Sequence, residues 1–355
     1  MEQPFKEKIE EIMWAENSGR LQFPMLSVLS FFYGILVRAR LLLFRAGMLR
    51  AKKLPCPVVS VGNITTGGSG KTPVVAALCQ MLTAKGHSVV VLSRGYKRQS
   101  SGTIIVSDKD SVLLDVKGAG DEPFLLATKC KGVPVIVGSD RFVSGRLAIE
   151  KFSPDLIILD DGFQHIKLKR DLDLLLFDAK RGMGSGRMIP RGPLREPKSS
   201  IARADVIMIK GKGALQKNHK FDQQTFTFYY APTKLIELAG KSFPSINTLR
   251  GKKVVALSAL ASTESFYLTL KGCGAKIVER LSFPDHHWFL PTDIERIKEF
   301  AKDADCIVTT EKDLVRLDPS DFTDFSLFAL AIEARISNAN GLLKIIEAKL
   351  PSNPE

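Results

Sequence analysis

Lys71 and Thr72 close the stretch VGNITTGGSGKTP, in which glycines crowd ahead of a cation and a hydroxyl. Backbone N–H groups in such a run, opened by Gly67, Gly68 and Gly70 so that no Cβ intrudes, can wrap the α- and β-phosphates of a nucleotide. Lys71 would reach the β- and γ-phosphates, Thr72 would place its hydroxyl on Mg²⁺, and a helix starting near Pro73 would aim its positive end at the anion. The pattern G-x-x-x-x-G-K-[ST] is met except at its first glycine, where Thr65 stands. Thr65, Thr66, Gly67, Gly68, Ser69, Gly70, Lys71 and Thr72 are therefore the candidate phosphate cradle. A glycine-rich turn that binds nothing is the competing reading, and the apolar strand-like lead-in and helix-like lead-out count against it.

Four further groups carry chemistry. Asp160 and Asp161, in IILDDGFQH, end an apolar run, where an acid is the expected partner of the loop threonine in holding Mg²⁺. Asp121 and Glu122, in GAGDEP, are adjacent acids that a triphosphate would repel unless a metal, a cation or proton transfer compensates; a solvated turn capping a helix is the plainer alternative. FPDHHWF sets Asp285, His286 and His287 among aromatics. Adjacent histidines point apart and make a poor metal site, whereas one of them could pair with a carboxylate. Arg94, Arg141, Arg187, Arg191, Arg195 and Glu196 follow strand-like runs or lie in a Gly- and Pro-rich loop, and the arginines suit an anionic substrate.

These groups need a scaffold that gathers strand ends. The runs SVVVLSRGY, TIIVS, VPVIVGSDR, PDLIILDDGFQH, LDLLLFDA and ADVIMIKG are rich in Val, Ile and Leu without alternation, as strands buried on both faces are. The expected fold is α/β: a P-loop NTPase-like, mostly parallel sheet covered by helices, with ligands at the carboxyl ends of its strands. A polar, aromatic stretch at 213–250 reads as linking strands, and a second, smaller α/β lobe follows at 251–355. The P-loop core is expected at 54–212, and an N-terminal amphipathic, membrane-associated helical segment at 1–53. The tail LPSNPE is expected to fray.

Composition narrows the setting. The chain has 355 residues, 45% hydrophobic and 25% charged, enough for two domains with real cores. Its formal charge of +13 comes without a nucleic-acid motif, so no nucleic acid is expected and an anionic membrane or substrate fits better. Five scattered cysteines suggest neither a disulfide framework nor a metal site. Residues 21–37 carry no charge, and Arg38, Arg40, Arg45, Arg50, Lys52 and Lys53 follow without an acid. Acidic residues ahead of the run speak against a cleaved signal, and Pro24 and Gly34 interrupt it. An interfacial amphipathic helix on an anionic membrane is expected, with a core helix bearing a basic face as the alternative.

Taken in order, VGNITTGGSGKTP, SRGY, GDEP, ILDDGFQH, GPLREP, FPDHHWF and TTEKD make the chain resemble the tetraacyldisaccharide 4'-kinase family of lipid A biosynthesis. The resemblance covers most of the chain, and Thr65 at the first loop position is in keeping with it. It implies a kinase of two α/β lobes joined by a two-stranded hinge, working with ATP and Mg²⁺ on an acylated disaccharide lipid at the cytoplasmic face of a Gram-negative inner membrane, with no obligate protein partner inferred. It also implies that Asp121 acts on the sugar hydroxyl, helped by His286 rather than His287. Asp160 and Asp161 would hold the metal, and Arg94, Glu122, Arg141, Gln164, His165, Arg195 and Glu196 would contact substrate. Ser185 stands where the family pattern leads us to expect Asn, and LSALAST lacks an expected glycine. Competing readings are a membrane-recruited ATPase switch, a membrane adaptor, and a kinase for another lipid or sugar alcohol. A GTPase is disfavoured because no NKxD motif is present.

Overall fold

The computed structural model describes residues 13–14, 24–67, 70–211, 220–238, 244–260 and 263–350. Gly68 and Ser69 of the cradle, Ala261 and Ser262 of LSALAST, most of residues 1–23 and the tail after Leu350 lie outside the described residues.

The first half alternates strands and helices as its apolar runs require. Helix α1 (Pro24–Arg45) precedes β1 (Val58–Gly62), α2 (Lys71–Thr83), β2 (Val89–Ser93) and β3 (Ile104–Ser107). A short α3 (Val116–Ala119) leads into α4 (Asp121–Lys129), then β4 (Val135–Val137), α5 (Arg141–Phe152), β5 (Leu156–Asp160), β6 (Leu172–Asp178) and β7 (Val206–Lys210). Strands β1, β2, β4 and β5 are buried at every position, which is why they show no polar alternation. The second half comprises β8 (Gln224–Glu237), β9 (Lys253–Ser258), α6 (Glu264–Gly272), β10 (Lys276–Ser282), α7 (Pro291–Ala301), β11 (Cys306–Thr310), α8 (Glu311–Leu314), β12 (Leu327–Ile336) and α9 (Ala339–Glu347).

The twelve strands among the described residues join one sheet in the order β10-β9-β11-β12-β8-β7-β6-β1-β5-β2-β4-β3. The pairings are parallel except β3 with β4 and β8 with β12. The expected mostly parallel sheet is thus present, and the second α/β run extends it through β8 rather than starting a separate one. The register shows how. Gln224 to Phe228 pair with β7 up to Lys210, and the rest of β8 runs on past that end, where β12 pairs with it antiparallel from Glu237 back to Phe228. Strands β9 to β11, parallel to β12 and to one another, therefore point back toward the first half. The carboxyl ends of both sets of strands face each other, and loops after them share one cleft.

Helix α1 sits outside this core. Its inward side mixes apolar and polar contacts: Gly34 and Leu41 are buried, Tyr33 and Val37 pack on the cluster around Phe163 and Phe177, and Ser30 Oγ donates to the Met188 carbonyl at 2.7 Å, Tyr33 Oη to the Arg195 carbonyl at 3.0 Å, and Arg40 to the Gln164 carbonyl at 3.1 Å. Its outward side is apolar, with Met25, Val28, Leu29, Phe31, Phe32, Ile35, Leu36 and Leu42 exposed. That is the reverse of a soluble amphipathic helix.

Candidate active site

Strand β1 delivers the cradle. Val61 pairs with Asp160 at the end of β5, so the sheet register alone sets the acid beside the glycine-rich loop. Gly70, the residue before α2, has φ of 80°, a left-handed conformation that favours glycine, and a Cβ there would run into the Tyr230 hydroxyl. Lys71 is buried; its Nζ lies 3.5 Å from Asn63 Oδ1 and 3.6 Å from Asp161 Oδ1. Thr72 follows on the first turn of α2 and is partly exposed.

The two aspartates behave differently. Asp161 accepts from both sides: Arg195 Nη1 reaches Oδ2 at 2.9 Å and Oδ1 at 3.2 Å. Desolvation in the cleft pushes its carboxyl up, but Lys71 and Arg195 outweigh that and hold it below the usual carboxylate range. Asp160 is fully buried, accepts from Ser93 Oγ at 3.2 Å, and leaves Oδ1 without a partner among the described residues. Burial, with the Glu122 and Asp161 carboxylates adding to it and Lys71 opposing, pushes Asp160 up to about 7. A buried carboxylate oxygen with no donor, repelled by neighbouring acids, fits a divalent cation. Among the described residues no three metal-binding side chains converge, and Mg²⁺ needs none when phosphates and water complete its shell.

Asp121 opens α4 after Gly120, whose φ of 86° lets the loop pass within 3.1 Å, measured from a notional Cβ, of the Tyr96 carbonyl. The Asp121 carboxylate is 7% exposed; Oδ1 accepts the Glu122 N–H at 3.0 Å and Oδ2 lies 2.8 Å from His286 Nδ1. Burial pushes this carboxyl up, but the His286 hydrogen bond and the Lys312 charge outweigh it, leaving Asp121 below its ordinary value. His286 lies after β10 at a φ of 64°, a conformation a non-glycine residue rarely adopts, and the Tyr96 ring meets it edge-on at 5.6 Å. His287 points elsewhere: its Nε2 is 2.7 Å from Asp293 Oδ2, and its ring stacks on Phe283. Asp121 thus meets His286, the histidine to which the family resemblance points, and not His287.

Of the other expected site residues, Gln164 and Arg195 join the Asp161 cluster, Gln164 Nε2 donating to the Asn63 carbonyl at 2.7 Å and Arg195 Nη1 reaching Gln164 Oε1 at 3.4 Å. Glu122 lies 3.8 Å from Lys312. Arg141 is buried, donates to the Gly138 and Ser139 carbonyls, and is drawn down to about 10 by burial and by Arg94. His165 is drawn down to about 4 by burial and Arg141, so it is neutral at physiological pH. Arg94 is exposed. Glu196 is nearly sealed and bonds to Arg203 at 2.8 Å, facing the core side of its loop. Ser185 Oγ is buried without a partner among the described residues.

Sequence reasoning missed Asn63, Tyr96, Lys129 and Lys312. The last two are ordinary lysines in sequence; only Lys312, inside TTEKD directly after an apolar run, carried a positional signal.

A family model described as LpxK, tetraacyldisaccharide-1-P 4'-kinase, matches residues 22–351. A tetraacyldisaccharide 4'-kinase of Halothermothrix orenii is 38% identical over 351 residues, covering 91% of each chain. One of Syntrophus aciditrophicus is 39% identical over 332 residues, covering 88% of this chain and 89% of its own. A crystal structure of LpxK from Aquifex aeolicus, described as an "apo" form in complex with ATP, superposes with a TM-score of 0.76 at 36% identity over 91% of this chain and 98% of that one. The chain belongs to the tetraacyldisaccharide-1-P 4'-kinase family.

Proposed function

We infer that this chain is an ATP-dependent kinase that transfers the γ-phosphate to the 4'-hydroxyl of a tetraacylated glucosamine disaccharide 1-phosphate, forming lipid IVA. The observation that carries this reading is the Asp121–His286 pair at 2.8 Å, with the adjacent Glu122 carboxylate near enough to Asp160 to help push its carboxyl up against the opposing Lys71 charge. An ionised carboxylate beside a phosphate cradle suits removal of a hydroxyl proton as the phosphoryl group arrives.

Residues 65–72 would hold the triphosphate, with Lys71 against its outer oxygens. Thr72 and Asp160, with Asp161 nearby, would hold Mg²⁺, which when bound neutralises phosphate charge. Asp121 accepts the acceptor hydroxyl's proton, and His286 orients its carboxylate. Arg94, Gln164 and Arg195 would contact the disaccharide, with neutral His165 as a hydrogen-bonding group and the buried Arg141 lending its charge from behind. Because Asp121 comes from 54–212 and His286 from 251–355, linked through 213–250, approach of the two halves would complete the site and exclude water.

The outward apolar face and basic end of α1 support association with an anionic membrane, where the acyl chains of the substrate would reside; we assign this to the cytoplasmic face of the inner membrane. The helix is 22 residues long, enough by length and composition to cross a bilayer, but its polar inward contacts to the loop at 188–195 favour lying in the interface. Phe32→Glu with Leu36→Glu should sharply reduce cosedimentation with anionic vesicles; unchanged pelleting would refute the interfacial role.

The function is tested by incubating the enzyme with γ-³²P-ATP and the tetraacyl disaccharide 1-phosphate in mixed micelles. Labelled lipid is the expected product. Free labelled phosphate without labelled lipid would instead favour an ATPase switch.

A further inference from the structure

The motif TTEKD has no part in the reading above, yet each of its last four side chains is committed. Thr310 caps α8 by accepting the Asp313 N–H at 3.1 Å. Asp313 accepts the Ala259 N–H at 3.0 Å and is held against Arg316. Glu311 takes Lys129 Nζ on both oxygens at 2.8 and 2.6 Å and also accepts the Ile332 N–H at 3.0 Å, while Lys129 donates to the Ile332 carbonyl. This buried pair ties the far end of α4 to α8 and to the β12 bulge. Lys312, one residue on, turns to the near end of α4: its Nζ lies 3.1 Å from Asp285 Oδ1, 3.2 Å from His286 Nε2 and 3.8 Å from Glu122 Oε1.

His286 would otherwise have competing acceptors. Asp121 Oδ2 faces Nδ1 at 2.8 Å, and Asp285 Oδ2 faces Nε2 at 3.7 Å. The remaining charged or titratable groups around it are Glu122, Lys312, the Tyr96 ring and, farther off, Arg316. A proton on Nε2 would serve Asp285 and take the donor away from Asp121. An ammonium changes that choice, because it has three donors and no acceptor: its contact with Nε2 is a hydrogen bond only if Nε2 carries a lone pair. Burial works against the Lys312 charge, but Glu122, Asp285 and Asp121 hold its pKa above the ordinary lysine value, so the donor is always present.

We propose that Lys312 is a positioning residue for phosphoryl transfer: it fixes His286 as the tautomer with its proton on Nδ1, aimed at Asp121, while Lys129 and Glu311 pin the helix that carries it. The inference rests on the assignment of Asp121 as the base. It gives TTEKD a chemical purpose, since α8 places a cation at one ring nitrogen of an imidazole whose other ring nitrogen meets the reacting carboxylate. Lys312 itself need touch neither ATP nor the acceptor.

The test is ¹⁵N NMR of histidine-labelled full-length enzyme at one fixed alkaline pH, with His286→Gln identifying the His286 signals, alongside steady-state kinetics. Wild type should show a protonated Nδ1 and a lone-pair Nε2; a protonated Nε2 in wild type would overturn the proposal whatever the variants do. In Lys312→Met the Nε2 signal should lose its lone-pair character and kcat should fall about 10–100-fold, with KM for ATP within about threefold. Lys312→Arg should restore most of both. A Lys312→Met enzyme with kcat within about threefold of wild type, or with kcat lost and the tautomer unchanged, would reduce Lys312 to packing and sink the idea. Should Lys312→Met not fold, the wild-type and Lys312→Arg tautomers decide. Asp121→Ala run in parallel separates the two claims: retained turnover there removes the base, and the tautomer measurement still judges Lys312.

Discussion

The cradle and the base pair are built in opposite ways. The candidate cradle, residues 65–72, is one contiguous stretch of sequence between β1 and the first turn of α2, whereas the base pair brings Asp121 to His286 across 165 positions of chain. The cradle's cation, Lys71, lies near Asn63 and Asp161, and one oxygen of the nearby Asp160 has no partner among the described residues, an arrangement that suits a divalent cation. The Asp121–His286–Lys312 row is internally neutralised, each group already bonded to the next. One region is completed by ligand and the other by folding, so they should fail differently when perturbed.

The largest effect belongs to the cradle. Lys71→Ala should reduce phosphoryl transfer by roughly a thousandfold or more and weaken ATP binding, measured by label transfer and by isothermal titration. Normal ATP affinity in that variant would break the contrast.

Next comes the buried pair behind the base. Lys129→Met leaves Glu311 nearly sealed without its partner and should destabilise the fold by about 3–5 kcal/mol in urea titration. A loss under about 1 kcal/mol would show that the two halves are held elsewhere.

Gly70→Ala should raise the KM for ATP about tenfold or more, because the left-handed backbone alone costs about 1–2 kcal/mol and the Cβ meets Tyr230. An unchanged KM would mean that Tyr230 yields freely.

The cradle also predicts a pH dependence. Asp160 binds its proton more tightly folded, at about 7, than at the ordinary 3.8, so between those values the folded state carries more protons than the unfolded one. Stability of the ligand-free enzyme should therefore fall as pH rises through that window, and Asp160→Asn should flatten the fall. Thermal melts across the window check this; equal slopes in wild type and variant would contradict it. The smallest effect is expected at His287, bonded to Asp293 and away from Asp121: His287→Gln should change kcat less than about threefold, against a large loss in His286→Gln.

How much of this was legible in sequence follows the same division. The strands were readable because full burial on both faces leaves an unbroken Val, Ile and Leu run, and the loop from Thr65 to Thr72 was readable because its function demands contiguous glycines and fixed offsets. What periodicity could not supply was the reversal at β8, since nothing local says that a strand of 14 residues outruns its neighbour and turns the second half to face the first. That reversal is what brings His286, Lys312 and Asp285 to Asp121. Their pairing entered only through resemblance, and Lys312 not even then, because a lysine's partner is set by tertiary contact. Glu196 is a mixed case: the resemblance gives it to substrate, and in the fold its Oε2 bonds to Arg203 while Oε1 is buried without a partner among the described residues.

The most direct test of the account compares wild type with Asp121→Ala for transfer of γ-³²P to the tetraacyl disaccharide 1-phosphate, with ATP affinity measured in the same preparations. Transfer reduced by about 10²–10⁴-fold, with ATP affinity preserved, is the predicted result. Turnover close to wild type in Asp121→Ala would contradict the assignment of the base and, with it, the division of labour between the two regions.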